Sequence, residues 1–324
     1  MAENKNHICG EEPVISVLVV TYRQADTLGR TLRSVLAQNL DHPFEVIVAD
    51  DASGDGTVDV ARRFEAEYPG VVRVLENERN LGVQENYFNA LREARGEYIA
   101  DCAGDDYWSD EQKLAKELDM MRRNPEMTLV HTGFQYLFPD GRREPFRPKS
   151  SIRREVVPGR KVLRQIVAHP DTPVIHLCSA LYRRDVVLQA MEEDHDLFFN
   201  PEWGLEDLQV EAVCAAAGEI GYIPDKTLCY SVGHPSVSSA DSHRKAFDFY
   251  LGSTALRLRL IEKYGLEGED IDAGVARLLN YVAAQARHAK YRGGIAKINR
   301  LRREYDLPLP MKGKIHSLLC AVGI

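Results

Sequence analysis

The sequence lacks several features that define common protein classes. None of its apolar runs is long enough to cross a bilayer, and its first residues lack the apolar core of a signal peptide. Its six cysteines are scattered with no C-x-x-C pair, which argues against a zinc site and favours reduced thiols in a cytosolic protein. Positive charge is not in excess: the net charge is −8 over 324 residues, which argues against a nucleic-acid-binding protein.

Short β-branched runs alternate with helical patterns over the first hundred residues. Val14 to Val20 is typical of a buried parallel strand, and Phe44 to Ala49, Val71 to Leu75 and Tyr98 to Ala100 repeat the pattern. The segments between them carry apolar residues at helical spacing. This order predicts an α/β fold with a mostly parallel, doubly wound sheet flanked by helices.

An acidic turn follows the fourth of these strands. Gly104 is followed by Asp105 and Asp106, and two adjacent carboxylates repel each other unless a cation or a proton neutralises them. Mg²⁺ or Mn²⁺ suits such oxygen ligands and usually bridges to phosphates. The alternative for this turn alone is a solvated acidic loop.

A second acidic turn follows the second strand. Asp50 and Asp51 can accept hydrogen bonds from a nucleobase and from ribose hydroxyls. Thr21 and Tyr22 end the neighbouring strand and are expected to form the other wall of that pocket, while Arg23 can pair with a phosphate or a carboxylate. An Asx-rich loop is the alternative for this turn by itself.

The second half of the chain is less regular. Met127 to Leu137 and Val174 to Tyr182 are predicted strands, and a short strand is expected at Ile220 to Pro224. The segment from Gly141 to Arg164 is rich in basic residues, which fits either a solvated insertion or a basic rim for an anionic acceptor. From His243 onwards the composition predicts helices.

The order of these motifs resembles family 2 glycosyltransferases, which have the nucleotide-sugar-binding GT-A fold. The matching pieces are Ser-Val-Leu-Val-Val-Thr-Tyr at 16–22, Asp-Asp-x-Ser-x-Asp-Gly-Thr at 50–57, Asn-x-Gly at 80–82, Gly-Glu-Tyr-Ile-Ala at 96–100 and Gly-Asp-Asp-Tyr-Trp at 104–108. The polar composition of 1–12 predicts a disordered leader, the resemblance implies a GT-A domain at 13–240, and the helical pattern predicts a helical region at 241–324. Within the GT-A domain, 13–125 would bind the nucleotide sugar and 126–240 the acceptor.

The resemblance also implies roles for single residues. A nucleoside-diphosphate sugar, such as a UDP-sugar, would be bound by Thr21, Tyr22, Arg23, Asp50, Asp51, Asn80 and Asp106. Asp105 would bind a divalent metal, Mn²⁺ or Mg²⁺. The family usually has an acidic residue two positions before Asp105, where this chain has Ala103, so the expected D-x-D motif is incomplete.

Two further site residues come from the same resemblance. Asp207, with Glu206 beside it, occupies the position of the general base that takes the acceptor hydroxyl proton in an inverting transfer. Without the family, this pair would be ordinary acidic residues at a helix start. His234 lies in a loop similar to the family's Tyr-Arg-x-His-x-x-Ser-Val-Ser loop and is a candidate metal ligand, although Ser231 replaces the arginine and Gly233 stands at the histidine position.

The sequence therefore predicts an inverting glycosyltransferase in surface polysaccharide or glycan assembly. Its partners would be the nucleoside-diphosphate sugar and a glycan or lipid-linked acceptor, with no nucleic acid, and a homo-oligomer stays open. The basic C-terminal tail closes with apolar residues. It fits either a peripheral contact of a cytoplasmic protein with the inner face of the membrane or helix packing against the catalytic domain or a second subunit. A non-catalytic nucleotide-sugar-binding protein is the first alternative. A nucleotidyltransferase is the second, although no glycine-rich loop follows the first strand.

Overall fold

The computed structural model describes residues 12–147, 155–168, 174–233, 242–308 and 310–322. Contacts divide these residues into two compact units. The first takes in the described residues before 164 together with 174–199 and 206–233, and the second takes in 164–168, 200–205 and the helical C-terminal part. The predicted leader lies, apart from Glu12, outside the described residues, as does the predicted boundary at 240.

The first unit is built on one sheet, to which the ten strands of the described residues belong. The strands are β1 (Ile15–Thr21), β2 (Phe44–Asp50), β3 (Val72–Glu76), β4 (Tyr98–Asp101), β5 (Tyr107–Trp108), β6 (Met127–Leu137), β7 (Arg143–Pro145), β8 (Val156–Pro158), β9 (Ala180–Arg183) and β10 (Glu219–Ser231). The helices up to residue 217 are α1 (Ala25–Leu36), α2 (Thr57–Glu67), α3 (Val83–Glu93), α4 (Lys113–Arg123), α5 (Gly159–Ala168), α6 (Arg184–Glu193), α7 (His195–Phe199) and α8 (Asp207–Ala217).

The sheet has the strand order β3-β2-β1-β4-β9-β6-β10-β5. The first four strands in this order are parallel, as the sequence pattern predicts. β9 is antiparallel to both of its neighbours, and β5, β7 and β8 are antiparallel to their partners, so the second half of the sheet is mixed. Because β1, β2 and β4 run in the same direction, Thr21, Asp50 and Asp101 end their strands at one edge of the sheet.

The parallel strands are apolar because both faces of the sheet are covered. All seven residues of β2 are buried, and β1 is buried except for one partly exposed residue. One polar residue in this core is Glu45, which accepts hydrogen bonds from the Ser16 hydroxyl at 2.7 Å and from the Arg95 backbone at 2.8 Å. Burial alone would raise the pKa of Glu45, but the hydrogen bonds from Arg95 and Ser16 lower it below its ordinary value.

Two predicted strands differ from the structure. Val174 to Tyr182 is not one strand: a 3₁₀ turn occupies Leu177–Ser179, and β9 begins only at Ala180. The chain turns here because the His176 carbonyl accepts hydrogen bonds from both the N–H and the hydroxyl of Ser179. The strand predicted at Ile220 to Pro224 continues as β10 to Ser231, with register shifts against β6.

The second unit is mainly helical, as predicted from His243 onwards. Its helices are α9 (His243–Lys263), α10 (Glu269–His288), α11 (Arg292–Glu304) and α12 (Met311–Val322). Phe247, Val282, Ala286 and Ile298 form a buried cluster that joins α9, α10 and α11. Within the described ranges, no helix is both long and apolar enough to cross a membrane.

Candidate functional site

The loops after β1 and β2 lie against each other. The Asp51 N–H donates to the Thr21 carbonyl at 3.0 Å, and the Arg23 N–H donates to the Ser53 hydroxyl at 2.8 Å. Tyr22 is 43% exposed at this edge, with the Arg23 guanidinium 5.2 Å from the centre of its ring. The structure thus brings an exposed aromatic ring and a cation to the carboxyl ends of these strands, as predicted.

Backbone strain is concentrated in the same two loops. Arg23 and Ala52 both have positive φ, at 55° and 56°, a conformation that costs a non-glycine residue free energy. The hydrogen bond from the Arg23 N–H to Ser53 links the two strained segments. Such strain is common where a ligand contact requires a particular loop shape.

Asp50 and Asp51 are buried and accept hydrogen bonds within the fold. Asp50 accepts from both the N–H and the hydroxyl of Ser53. Asp51 accepts from the Asn77 amide at 3.0 Å and from the N–H groups of Leu81 and Gly82 at 2.7 and 2.8 Å. The Asp51 contacts fix the loop before α3, and the Asp50 contacts fix the loop after β2. Direct contact of either carboxylate with a nucleoside stays a prediction.

Asn80 belongs to the same loop. Its side-chain amide donates to the Asp51 carbonyl at 3.2 Å, and the residue itself is exposed. The structure therefore places Asn80 beside the second acidic turn, next to the residues with which the sequence grouped it. Its contact with a nucleotide stays a prediction.

Asp105 is partly exposed, and its backbone is held from two sides. Its carbonyl accepts from the Arg30 guanidinium at 2.6 Å and from the Ser231 hydroxyl at 2.6 Å. Arg30 also lies 4.7 Å from the centre of the Tyr107 ring, which fixes the guanidinium in place. α1 and the end of β10 together set the position of this carboxylate.

The residues on either side of Asp105 are held in the same way. The Thr27 hydroxyl donates to the Gly104 carbonyl at 2.8 Å, and the Thr31 hydroxyl donates to the Asp106 carbonyl at 2.6 Å. The Asp106 side chain is fully buried and accepts from the Ser231 N–H at 2.8 Å. Burial and the charge of Asp105 raise the pKa of Asp106 well above its ordinary value. The hydrogen bond from Ser231 ties the turn to β10, and the predicted contact of Asp106 with the donor stays a prediction.

Glycine is required at position 104 by close packing. A Cβ atom there would lie 2.4 Å from the Gln24 side-chain oxygen and 2.8 Å from the Thr21 hydroxyl. The backbone of the acidic turn at 104–106 therefore packs directly against the end of β1. The two predicted halves of the site, one after β1 and one after β4, are adjacent in the structure.

The donor set for a metal is small. Within the described ranges, no three His, Cys, Asp or Glu side chains converge as a metal site. Asp105 supplies one partly exposed carboxylate, Ala103 supplies none, and His234 lies outside the described residues. One carboxylate fits an ion that arrives with phosphate groups and keeps several waters, and it does not fit an ion bound by protein alone.

The predicted base lies at the start of α8. Asp207 is exposed there, and its carboxylate accepts from the Leu208 N–H at 2.7 Å. Glu206 is half-buried as a residue, but its carboxyl group is enclosed by protein. Burial raises the pKa of Glu206 to about 8, and the charge of Asp207 adds to the shift. The raised pKa of Glu206 favours its neutral form at neutral pH.

Asp101 at the end of β4 belongs to the same acidic region. Burial raises its pKa to about 7, against the lowering influence of the Tyr87 hydroxyl and the charge of Lys113. Its charge also contributes to the raised pKa of Glu206. This coupling could not be predicted from the sequence, because Asp101 and Glu206 are about a hundred residues apart.

Comparison with known proteins decides the family. The model described as Glycosyl transferase family 2 matches residues 16–189, which is more than half of the chain. This chain belongs to glycosyl transferase family 2. The predicted family is confirmed.

Relatives of this family 2 chain are similar over only part of their length. The uncharacterized protein Rv1520 of Mycobacterium tuberculosis is 32% identical over 235 residues, which are 72% of this chain and 63% of that protein. The putative teichuronic acid biosynthesis glycosyltransferase TuaG of Bacillus subtilis is 34% identical over 130 residues, 40% of this chain and 50% of TuaG. The chain thus spans less than two thirds of the length of these relatives.

Solved structures share the fold of this family 2 chain. Staphylococcus aureus TarS 1–349 in complex with UDP-GlcNAc has a TM-score of 0.64 and 20% identity, and the match covers 95% of this chain and 87% of TarS. The mannosyltransferase PcManGT from Pyrobaculum calidifontis, in complex with GDP-Man and Mn²⁺, has a TM-score of 0.55 and 20% identity, with 97% and 86% covered. At this identity the likeness shows the fold, and it confirms the predicted GT-A architecture.

Sequence reasoning missed the residues that hold the acidic turn of this family 2 chain. Thr27, Arg30 and Thr31 form a polar stripe at i, i+3 and i+4 on α1, which otherwise buries its apolar face. That stripe was the available signal. The contact of Ser231 with the same turn had no local signal, since the two are 126 residues apart.

Proposed function

We propose that the protein transfers a sugar from a nucleoside-diphosphate sugar to a hydroxyl group of a glycan or lipid-linked acceptor, with inversion at the anomeric carbon. The observation that carries the proposal is the position of Asp105. Its carboxylate is partly exposed at the carboxyl end of β4, and its backbone is fixed by Arg30 and Ser231 beside the strained loops after β1 and β2. A carboxylate placed rigidly at this edge of an α/β sheet suits a bound nucleotide diphosphate.

The donor pocket would be walled by the loops after β1 and β2. Tyr22 would stack on the base with its exposed ring, and Arg23 would face phosphate. Asp50, Asp51 and Asn80 would hold the opposite wall, where nucleoside hydrogen bonds would be made. A UDP-sugar is the first donor to test, because TarS, which shares the fold, is named in complex with UDP-GlcNAc.

A divalent ion, Mn²⁺ or Mg²⁺, would be held by Asp105 together with the donor diphosphate. When bound, it would supply neutralisation of the charge that develops on the departing diphosphate. His234 is proposed as a second ligand. With Ala103 in the D-x-D position, we expect the ion to bind only with the nucleotide.

Asp207 would act as the base. The acceptor hydroxyl gives its proton to the Asp207 carboxylate as its oxygen bonds to the anomeric carbon, and the bond from that carbon to the diphosphate oxygen breaks on the opposite face. Burial raises the pKa of Glu206 to about 8, which favours its neutral form at pH 7, so Asp207 rather than Glu206 is proposed as the base. This single displacement inverts the configuration.

The test is calorimetric titration of the protein with UDP and Mn²⁺, with and without EDTA. We expect binding that requires the metal and that Asp105→Ala weakens by about tenfold or more. Asp119→Ala is the matched control, since this exposed carboxylate lies on α4 and pairs with Arg123 at the surface. If UDP binds tightly and neither EDTA nor Asp105→Ala weakens the binding, the metal role of Asp105 is contradicted. If UDP, GDP and dTDP all fail to bind, the proposal is contradicted.

The main alternative is a non-catalytic nucleotide-sugar-binding protein, which Ala103 favours. Release of nucleotide from the donor in the presence of acceptor distinguishes the two, because a binding protein would show none. For the wider role, we propose surface polysaccharide assembly at the cytoplasmic face of the membrane. The name of the relative TuaG, which refers to teichuronic acid biosynthesis, supports this.

A further inference from the structure

Five aromatic rings form a cluster on one face of the second half of the sheet. They belong to Phe134, Tyr136, Phe146, His176 and Tyr230, here called the aromatic cluster. Phe134 stacks on Phe146 with ring centres 4.4 Å apart, and His176 lies 4.3 Å from Tyr230. Tyr136 and Tyr230 stand in register on the neighbouring strands β6 and β10, with their ring centres 6.0 Å apart.

The aromatic cluster lies at the border of the core: Phe134 belongs to it, and Tyr136, Phe146 and Tyr230 pack against it. Phe134 is buried at 3% exposure, but Tyr136, Phe146, His176 and Tyr230 are only half-buried. The sides of these four rings that remain accessible are available to contact a ligand, and covering them would be favourable because it removes apolar surface from water.

The position of Tyr230 connects the aromatic cluster to the candidate site. The next residue, Ser231, donates its N–H to Asp106 and its hydroxyl to the Asp105 carbonyl. Burial raises the pKa of the Tyr230 hydroxyl, and among the negative groups that raise it further are Asp106, Asp105 and Asp207. Tyr230 thus lies within the electrostatic reach of both the proposed metal carboxylate and the proposed base.

The chemistry of the aromatic cluster limits what it can bind. A pyranose ring has an apolar C–H face that packs on aromatic rings, and hydroxyl groups around its edge. Burial lowers the pKa of His176 to about 4, so its imidazole is neutral at pH 7, and no member of the cluster carries charge there. An uncharged sugar fits this surface better than an anionic one.

We propose that the aromatic cluster binds a neutral pyranose ring of the acceptor, stacked on Tyr136 and Tyr230 with a hydroxyl group directed toward Asp207. The proposal rests on the proposed glycosyltransferase function and adds the acceptor class. It makes Tyr136 and Tyr230 acceptor-binding residues and assigns them no part in holding the donor.

The test is saturation-transfer NMR on the UDP-bound protein, with the methyl glycosides of glucose, galactose, mannose and N-acetylglucosamine as probes. We expect transfer to the ring protons of at least one glycoside. Tyr136→Leu and Tyr230→Leu should weaken its binding by about tenfold, whereas Tyr230→Phe, which keeps the ring, should retain it. Tyr68→Leu is the matched control, because Tyr68 is a half-buried aromatic stacked on Phe64 at the end of α2.

The outcomes separate this proposal from the proposed function. UDP binding is measured by calorimetry for the wild type and for each variant. If the wild type does not bind UDP, the glycosyltransferase proposal itself is contradicted. UDP binding with no transfer to any of the four glycosides would overturn the acceptor proposal. Equal binding by wild type, Tyr136→Leu and Tyr230→Leu, or equal loss in Tyr68→Leu, would overturn it too. If Tyr230→Leu fails to bind UDP, Phe146→Leu takes its place, with the same expected loss.

Discussion

At the scale of single residues, the carboxyl groups near the site differ in what surrounds them. Asp50 and Asp51 are buried with N–H or O–H donors on their oxygens, which compensate a charged carboxylate. Asp101 and Glu206 are enclosed with less compensation, and burial raises their pKa values to about 7 and about 8. Burial therefore favours the neutral form more strongly in some of these carboxyl groups than in others, and such differences let one site contain both a base and hydrogen-bond donors.

The raised pKa of Glu206 predicts how the free energy of unfolding depends on pH. The unfolded chain ionises this carboxyl near its ordinary pKa of 4.5, but the folded protein does so near 8. Between these values the folded state holds more protons, so this group's contribution to the free energy of unfolding falls as pH rises from about 4.5 to about 8. Glu206→Gln cannot ionise and so does not lose stability in this pH range. The melting temperature of the variant minus that of the wild type should therefore rise by about 3 °C between pH 5 and pH 8.5.

The measurement is thermal unfolding of both proteins across that pH range. Glu193→Gln, at an exposed position on α6, is the control and should keep a constant difference from the wild type. A Glu206→Gln difference that is also constant with pH would show that the carboxyl ionises normally in the folded protein.

At the scale of elements, the turn at 103–106 depends on distant parts of the chain. α1 supplies side chains that bind three consecutive carbonyls, and β10 supplies Ser231. The backbone of the turn also packs on the end of β1 through Gly104. Because each contact fixes a different peptide group, the turn is held as one rigid unit, and its geometry should respond sharply to one added methyl group.

Gly104→Ala tests this dependence. The added Cβ would lie under 3 Å from the Gln24 and Thr21 side-chain oxygens. Gln24 is long enough to turn away, but Thr21 is short and ends β1, so we expect the turn to shift and to move Asp105 with it. We expect UDP affinity to fall by about tenfold or more while the far-UV circular dichroism stays that of the wild type. Gly29→Ala is the control, because its Cβ would meet only the Arg33 side chain at 3.5 Å within α1 and alanine favours a helix. Wild-type UDP affinity in Gly104→Ala would refute the idea of a rigid turn.

The same elements show how far the sequence could predict the site. The strands β1, β2 and β6 follow from β-branched runs, and the acidic turns are visible because strand ends are visible. The hydrogen bonds that hold the turn at 103–106 were not predictable, because their acceptors are backbone carbonyls, which the side-chain pattern does not reveal. β5 is two residues long and exists through pairing with β10, about 120 residues away. The 3₁₀ turn at Leu177–Ser179 replaced a predicted strand because local Ser179 hydrogen bonds compete with sheet formation.

At the scale of the whole molecule, charge is unevenly distributed. The net charge is −8, yet from Arg287 to the end the chain has nine basic residues against Glu304 and Asp306. On α12, Ile315 is 52% exposed and Leu318 is 66% exposed, one helical turn apart, and the lysines Lys312 and Lys314 are exposed too. Exposed apolar residues beside lysines on one short helix are typical of an element that binds an anionic membrane surface, which we propose for α12.

Vesicle co-sedimentation tests this proposal. We expect the protein to bind vesicles that contain phosphatidylglycerol and not vesicles of phosphatidylcholine alone, and to be released as salt screens the attraction. Ile315→Ser with Leu318→Ser should weaken binding by removing buried apolar surface. Lys312→Gln with Lys314→Gln should weaken it and lower its salt dependence, since each lysine near the surface contributes about 1 kcal/mol.

The control for this experiment is Lys161→Gln with Lys226→Gln, which removes the same charge from exposed positions on α5 and β10. If it weakens binding as much as the α12 pair, net charge rather than α12 determines the attraction. If the wild type does not bind vesicles that contain phosphatidylglycerol, the exposed apolar residues of α12 do not bind a membrane. A second copy of the chain would then be the remaining occupant to test, by the dependence of sedimentation velocity on protein concentration. In that case Leu318→Ser, and not the lysine pair, should lower the sedimentation coefficient at high protein concentration, because an apolar contact between copies depends on buried surface rather than on charge.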